Sequence, residues 1–317
     1  MPPRRIDFST ALSKFAPQLR GPLNSVILRD GFEGIIPAAS AQMLAQFFGI
    51  SRPSLMLELL HFATAYAQPA ISEYRVGAIA QGATGNLYFG ANMEFPGRSL
   101  IYTVHAEQAA TVNAWVNGET GMSALAVSAA PCGYCRQFLN ELVTANQLQI
   151  YLAGKPPRPM SYYLPDAFGP RDLGVSGGML SPQTNHLALD KPNDDPVVQA
   201  ALAAANRSYA PYTSSVNPNG GKACYAGVAL ATADGGIFSG AYGENAAYNP
   251  SILPMAAALV RMNLCGSYSS PIRQAVLVQG HALGQDDGNP VCDQQAASRD
   301  VLHAATDTPL TVMFAHQ

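Results

Sequence analysis

Apolar residues recur at helical spacing through the first fifty residues of the chain. The intervals are three or four positions at Phe8, Leu12, Phe15 and Leu19. Such spacing places side chains on one face of a helix, and the alanine-rich stretch 39–48 indicates a second helix. The pattern predicts an N-terminal helical region over residues 1–50, packed on the main fold or at a subunit contact.

Residues 51–153 switch between helix-like and strand-like patterns. Helices are predicted at 55–67, 103–116 and 132–143. Strands are predicted at 74–80, 86–91, 125–128 and 149–152. The resulting order is hairpin, helix, strand, helix, strand. This order predicts an α/β domain with at least one crossover between parallel strands.

The rest of the chain divides into a linker and a second half. Residues 154–196 are rich in Pro, Gly and Asp and show little periodicity, so we predict a linker that wraps over the surface. The second half, residues 197–317, begins with an alanine-rich helix at 197–206. It then repeats the hairpin of the first half, because 238–244 resembles 88–94 and 227–231 resembles 76–80.

Composition and charge argue against nucleic acid and membranes as binding partners. The net charge is −3 and the sequence pI about 6.0, with no Lys/Arg run beyond Pro3-Arg4-Arg5. Binding to phosphate backbones needs a basic footprint, so we predict no nucleic-acid partner. The chain has no apolar run of membrane-spanning length and no apolar signal segment near its first residue. We therefore predict no membrane association and a cytoplasmic location.

Two short stretches carry the candidate chemistry: His105-Ala106-Glu107 and the Pro-Cys-Gly-Tyr-Cys of residues 131–135. One His and two Cys are three zinc ligands, and a fourth position open to water is typical of a catalytic zinc site. Both stretches fall at predicted helix N-termini, where the partial positive charge favours thiolates. Glu107 is the predicted base beside the metal. The H-x-E…P-C-x-x-C arrangement is the signature of zinc nucleobase deaminases.

Other interpretations of these residues exist. A C-x-x-C pair alone is equally typical of a structural zinc or a redox site, but a closed structural site has four ligands and this set has three. The remaining cysteines, Cys224, Cys265 and Cys292, lack paired spacing and are predicted to be buried. The alternative for Glu107 is a helix first-turn carboxylate.

The second half lacks this chemistry. Eleven residues separate Glu94 from His105, and the same count from Glu244 reaches Met255 and sets Ala257 opposite Glu107. No C-x-x-C follows the corresponding strand. We therefore predict a duplication with one active and one degenerate deaminase-like domain.

Asn92 and Glu94 end the strand before the predicted catalytic helix. Alternate residues of a strand point to the same face, so both side chains are able to address one group, such as substrate hydroxyls. The alternative is a turn-forming Asn and a surface Glu. Glu244 at the same place in the degenerate copy indicates a structural role for that Glu as well.

Taken together, these motifs resemble cytidine deaminases of the larger, two-domain homodimeric type. The matching segments are 76–80, 88–95, 103–108, 131–138, 163–170 and 244–247. The resemblance implies a duplicated three-layer α/β/α sandwich with a mixed sheet, and a homodimer whose four domains imitate the tetramer of the smaller members. It assigns residues 51–153 to the catalytic zinc domain.

The resemblance also implies roles for individual residues. One Zn²⁺ per subunit is held by His105, Cys132 and Cys135, and Glu107 shuttles protons. The implied substrate contacts are Asn92 and Glu94 on the ribose, Tyr74 on the base where the family usually has Phe, main-chain groups near Ala106 on the pyrimidine edge, and Phe168 with the 246–247 loop reaching into the partner subunit's site.

The implied reaction is the hydrolysis of cytidine and 2'-deoxycytidine to uridine and 2'-deoxyuridine with release of ammonia, a step of pyrimidine salvage. Two alternatives stay open. One is a zinc deaminase that acts on another base or on a polynucleotide. The other is a zinc-binding scaffold without catalysis.

Overall fold

The structure is a computed structural model that describes residues 6–213, 224–280 and 292–317. Its helices are α1 Ser9–Ser13, α2 Pro17–Ile27, α3 Ala38–Phe48, α4 Arg52–Ala65, α5 Ala106–Val116, α6 Gly133–Leu139, α7 Met160–Tyr163, α8 Pro196–Asn206, α9 Pro254–Leu264 and α10 Gln295–Leu302. Its strands are β1 Ile35–Ile36, β2 Gly77–Gly82, β3 Leu87–Ala91, β4 Met122–Val127, β5 Gln149–Tyr151, β6 Arg158–Pro159, β7 Ala188–Leu189, β8 Ala226–Thr232, β9 Ile237–Ala241, β10 Ile272–Gly280 and β11 Leu310–His316.

Local sequence signals explain where the long helices begin and end. Ser51 caps α4 by accepting a hydrogen bond from Ser54 N, and Asp195 caps α8 by accepting one from Val197 N at 2.7 Å. Proline begins α9, where the missing N–H has no partner to lose. Gly49 ends α3 in the left-handed conformation at φ 66°, which glycine adopts without strain.

The first sheet has the order β1-β3-β2-β4-β5-β6, with β4 and β5 parallel and the other pairs antiparallel. Helices cover both of its faces. A Cβ on Gly77 would lie 2.5 Å from Thr64 N of α4, and one on Gly90 would lie 2.1 Å from Ala110 N of α5. Because Gly77 pairs with Ala91, next to Gly90, the two glycines face opposite sides. The first half is therefore a three-layer α/β/α sandwich.

The second sheet, β7-β11-β10-β8-β9, repeats this plan. Gly227 lies against α8 and Gly240 against α9, with Cβ positions that would be 2.2 and 2.3 Å from helix backbone nitrogens. The pairing of Val228 with Gly240 repeats that of Ala78 with Gly90. The predicted duplication and fold class are confirmed.

The two halves meet where α5 packs against α9. Arg261 of α9 is buried there; it donates to Asn113 Oδ1 of α5 at 3.2 Å and forms an ion pair with Glu33. Asn113 donates in turn to Phe89 O at 3.1 Å. The N-terminal region, the first sheet and the second half thus share one buried contact.

Two segments form strands that the sequence pattern did not indicate. The N-terminal region contains β1, which pairs with β3, although its other regular elements are helices as predicted. The segment 154–196 adds β6 to the first sheet and β7 to the second. Strands of two residues are too short to show a period. No helix in the described part of the chain is long and apolar enough to span a bilayer.

Candidate metal centre and active site

The segment that leads into α5 is fixed by a bridge between two short extended stretches. Met93 and Val104 exchange both backbone hydrogen bonds at 2.9 Å. The predicted helix over 103–116 begins at Ala106, so His105 is its N-cap residue with extended backbone. Gln108 Oε1 accepts from His105 N at 3.0 Å and holds it there. Because of the pleat, Asn92, Glu94 and His105 lie on one face of the bridge.

The two cysteines are placed by the start of α6. Cys132 is the N-cap residue and Cys135 lies in the first turn, while the helix ends at Leu139 rather than at the predicted 143. Arg136 donates to Pro131 O at 2.8 Å and to Tyr163 O at 3.1 Å. This side chain ties the turn before α6 to the segment that follows the first domain.

The three predicted ligands come together. His105 Nδ1 lies 3.6 Å from Cys132 Sγ and 3.3 Å from Cys135 Sγ, and the three donor atoms lie within 4.8 Å of one another. A tetrahedral zinc with bonds of about 2.3 Å to sulfur and about 2.0 Å to nitrogen separates such donors by roughly 3.5 Å. The donor set therefore fits zinc. Cys135 is buried and Cys132 exposed, so the group opens to the surface on the Cys132 side.

The two thiols differ in their readiness to ionise. A hydrogen bond with Cys135 lowers the pKa of Cys132 to about 5, assisted by the amides at the start of α6 and by His105. The same hydrogen bond, together with burial, raises the pKa of Cys135 above its ordinary value. One thiolate is thus stabilised by the fold itself, and a cation would favour the second.

Glu107 lies in the first turn of α5 and is only 4% exposed. Burial raises the pKa of its carboxyl, although its own backbone amide and a hydrogen bond with Cys135 act against this shift. The carboxyl group therefore interacts with Cys135, one of the metal donors, and has an increased affinity for a proton. Both properties are required of a proton carrier at this site.

Asn92 and Glu94 have partners in the loop before β2. Asn92 accepts from Val76 N at 2.9 Å and donates to Tyr74 O at 2.8 Å. Glu94 accepts from the amides of Ile71 at 2.7 Å and Ser72 at 2.8 Å, and from the Ser72 hydroxyl. Burial by itself would raise the pKa of Glu94, but these donors bring it below its ordinary value.

In the second half, Glu244 holds a loop in the same way as Glu94 does, which we call the carboxylate clamp, although the H-x-E and C-x-x-C motifs of the metal donors are absent from that half of the sequence. Glu244 accepts from Tyr212 N at 2.9 Å, from Thr213 N at 3.3 Å and from the Thr213 hydroxyl. A carboxylate that holds the loop before the first long strand is thus a property of the scaffold in both copies.

The predicted correspondence between the copies needs a correction. The Gly243–Ile252 bridge repeats the Met93–Val104 bridge, and Leu253 is the N-cap residue of α9. Only nine residues separate Glu244 from Leu253, so the connection is two residues shorter than in the first half. The structural counterpart of His105 is therefore Leu253 rather than Met255. The counterpart of Glu107 is Met255 rather than Ala257. The conclusion that ligand and base are missing holds.

The other predicted substrate contacts lie in loops and at a helix start. Tyr74 is outside β2 and is 64% exposed. Phe168 is 48% exposed, while its carbonyl accepts from Gln137 Nε2 at 2.9 Å. Ala106 is the buried first residue of α5. Ala246, in the loop after β9, is buried and donates to Glu141.

Sequence reasoning missed several residues of the α6 segment that contact a ligand or connect α6 to its neighbours. The ring of Tyr134 lies 5.5 Å from that of His105, centroid to centroid. Arg136, Gln137 and Glu141 make the contacts of α6 with its neighbours. The only signal for Glu141 was a single acid within the mostly apolar stretch 138–143. Its partners lie more than sixty residues away in the chain, so no local pattern shows them.

Comparison with known proteins agrees with this geometry. The cytidine and deoxycytidylate deaminase zinc-binding region matches residues 51–150 and, a second time, residues 160–286. A cytidine deaminase of Yersinia pestis (strain Pestoides F) is 43% identical over 274 residues, covering 86% of this chain and 90% of that protein. The chain belongs to the cytidine deaminase family.

Further relatives belong to the same family. The cytidine deaminase of Yersinia pseudotuberculosis serotype IB (strain PB1/+) is also 43% identical over 274 residues, with the same coverage. The crystal structure of cytidine deaminase from Mycobacterium tuberculosis is 32% identical and covers 37% of this chain and 96% of its own, with a TM-score of 0.34. The first zinc-binding match contains His105, Cys132 and Cys135. This chain is a zinc-binding protein of the deaminase family, and the three residues positioned for metal binding lie in its first half.

Proposed function

We propose that this protein catalyses the hydrolytic deamination of cytidine and 2'-deoxycytidine to uridine and 2'-deoxyuridine, with release of ammonia. One observation carries the proposal: three zinc donors converge at two helix starts, and the buried carboxyl group of Glu107 interacts with one of them, Cys135. We assign His105, Cys132 and Cys135 as ligands of one zinc ion per subunit. The 43% identity to a cytidine deaminase over 90% of its length supports this activity.

Glu107 performs the proton transfers in this proposal. Zinc held by His105, Cys132 and Cys135 would lower the pKa of a water molecule and so supply a nucleophile near neutral pH. Glu107 takes one proton from the water that adds to C4 and delivers it to N3 of the pyrimidine. It then moves a second proton from the new C4 hydroxyl to the amino group, which leaves as ammonia while C4 becomes a carbonyl. Its burial suits both tasks, because a raised proton affinity makes one carboxyl group an effective acceptor and then donor.

Asn92 and Glu94 are assigned to the ribose hydroxyls. The loop before β2 takes one amide hydrogen and one acceptor position of Asn92, so that one of each is left. It takes three of about four acceptor positions of Glu94, so that one is left. A carboxylate at this place repels a phosphate on the same hydroxyl. Free nucleosides are therefore the proposed substrates, rather than nucleotides or polynucleotides.

The remaining contacts are assigned to loops and to a second subunit. Tyr74 is proposed to stack on the base and the main chain at Ala106 to read the pyrimidine edge. Phe168 is about half exposed, and its carbonyl is anchored by Gln137 and Asn140, which supports a homodimer in which its ring enters the partner's site. A dimer mass in light scattering agrees with this arrangement, and a monomer with full activity contradicts it. The cytoplasmic location stays a prediction.

Zinc analysis combined with an ammonia-release assay tests the function. We expect about one zinc per chain and turnover of cytidine and 2'-deoxycytidine, with no comparable rate on adenosine, guanosine, free cytosine, single-stranded RNA or single-stranded DNA. Turnover of another base, or of a polynucleotide, would replace the proposed substrate. Stoichiometric zinc without any turnover would instead indicate the scaffold.

The duplication offers a matched pair of variants for the ribose assignment. Glu94→Gln is expected to raise KM for cytidine about tenfold or more, because the amide keeps the loop contacts but donates where the hydroxyl needs an acceptor. Glu244→Gln makes the same change in the same clamp of the second half. Steady-state kinetics and thermal melting of both variants separate substrate contact from scaffold stability.

The pair has a clear contrary outcome. If both variants lose the same stability and KM stays unchanged in each, Glu94 is a scaffold residue only, like its counterpart. A raised KM in Glu94→Gln alone supports the ribose contact.

A further inference from the structure

Three polar residues on one side of the α6 segment contact the second half of the chain. Tyr134 donates to Asn249 O at 2.8 Å, and Gln137 exchanges hydrogen bonds with Asn245 at 3.0 and 3.3 Å. Glu141, just beyond the helix, accepts from Ala246 N at 2.8 Å. The spacing of three and four residues places these side chains on one face. The partners in these four hydrogen bonds belong to residues 245–249, which we name the brace loop.

Glu141 is the most enclosed member of this set. It is 0% exposed and, besides the brace loop, accepts from the hydroxyls of Tyr209 at 2.7 Å and of Tyr212. Burial raises the pKa of its carboxyl, and the three donors act against this shift. A buried acceptor from the first half thus satisfies three donors of the second half. Removal of Glu141 takes this partner away from three buried donors, which costs stability.

The same helix carries metal donors at its other end. Cys132 and Cys135 lie at the start of α6, and Tyr134, between them, places its ring beside that of His105. A shift of the brace loop is therefore transmitted to the two cysteines through the helix and to His105 through the Tyr134 ring. Groups that orient ligands in this way tune metal affinity.

We propose that the degenerate half braces the zinc-ligand helix α6 through the brace loop, and that Glu141 is a positioning residue for Cys132, Cys135 and His105. The proposal rests on the assignment of these three residues as zinc ligands in the proposed function. It gives the second half a task although it lacks ligands and base: it holds the metal donors of the first half in place.

Glu119 provides a matched control. It is also a buried carboxylate, 3% exposed, and accepts from the Tyr88 hydroxyl at 3.1 Å, from Thr84 and from Thr120 N at 3.1 Å. These partners belong to the first half, at the end of α5 opposite to His105. Loss of Glu119 therefore removes similar hydrogen bonds without reaching α6.

The experiment compares zinc release from the wild-type holoenzyme, Glu141→Ala, Glu141→Gln and Glu119→Ala. The rate of transfer to a chromophoric chelator is measured at a temperature where far-UV circular dichroism shows every variant folded. We expect Glu141→Ala to release zinc about tenfold faster or more. Glu119→Ala is expected to lower Tm by a similar amount but to release zinc within about twofold of wild type.

Glu141→Gln tests the hydrogen bonds themselves. Its carbonyl is able to accept from Ala246 N and its amide to donate to the two tyrosine hydroxyls, so we expect release within about twofold of wild type. Equal release rates in Glu141→Ala and Glu119→Ala would overturn the proposal, as would a Glu141→Gln rate equal to that of Glu141→Ala.

A milder pair keeps the test decisive if Glu141→Ala does not fold. Tyr134→Phe removes the hydroxyl that donates to Asn249 O and also interacts with Gln108, and Tyr88→Phe removes the hydroxyl that donates to Glu119 and accepts from Asn86. Faster zinc release in Tyr134→Phe alone supports the brace, and equal rates contradict it. None of these rates depends on cytidine turnover. An inactive wild-type holoenzyme would refute the proposed function, whereas a failed brace would leave that function intact.

Discussion

Glu107→Gln is expected to lower kcat for cytidine by about 10²–10⁴-fold while the protein keeps its zinc. The amide has the size of the carboxyl group but cannot take up the proton that the reaction must move. Glu107 is only 4% exposed, so bulk solvent has little access to the place where the proton would be taken up. Single-turnover kinetics together with metal analysis measure the two quantities separately.

Glu119→Gln is the control for this variant, because it changes a buried carboxylate at the opposite end of the same helix. It should keep kcat within about twofold of wild type, since its contacts do not reach the reacting atoms. Near wild-type turnover in Glu107→Gln would remove this residue from the mechanism. Loss of zinc in that variant would show that its role is to support the metal instead.

Cys135→Ser is expected to abolish both zinc binding and turnover. Cys135 is the buried member of the donor group, and a neutral hydroxyl is a far weaker zinc ligand than a thiolate. Zinc content should fall close to zero per chain, and added zinc should not restore activity. Wild-type protein stripped of metal by a chelator should recover its turnover when zinc is returned.

The matched variant is Cys265→Ser. Cys265 follows α9 at a partly buried position, and burial raises the pKa of its thiol to about 12, so it carries no charge near neutral pH. Its replacement should leave zinc content and turnover unchanged. Stoichiometric zinc with full activity in Cys135→Ser would contradict the ligand assignment, because then another residue holds the metal.

The two halves show how much of the scaffold is independent of the chemistry. Gly90 and Gly240 both allow a helix to lie directly on a sheet, and Glu94 and Glu244 both clamp a loop. These features survive in the half that lacks the donors. A search for function by similarity of the scaffold alone would therefore count two sites where the described residues form one.

The sequence alone determined the metal-donor motifs and the duplication of the chain. The metal donors belong to two short motifs, and the helix starts that present them follow from local spacing, so His105, Cys132 and Cys135 were predicted correctly as a group. The duplication was visible because residues 88–94 and 238–244 keep the same small and acidic positions. Local geometry over a few residues determines these features, and a sequence records it directly.

Only the tertiary structure decided the rest. The hydrogen bonds of Glu141 with Tyr209, Tyr212 and Ala246 join segments far apart in the chain, and so does the contact of α5 with α9. The counterpart of His105 was misplaced because a connection shortened by two residues is invisible until backbone bridges align the copies. Burial of Glu107 and Glu141 likewise depends on neighbours from several elements. Chain-distant packing sets these environments, and no local pattern encodes it.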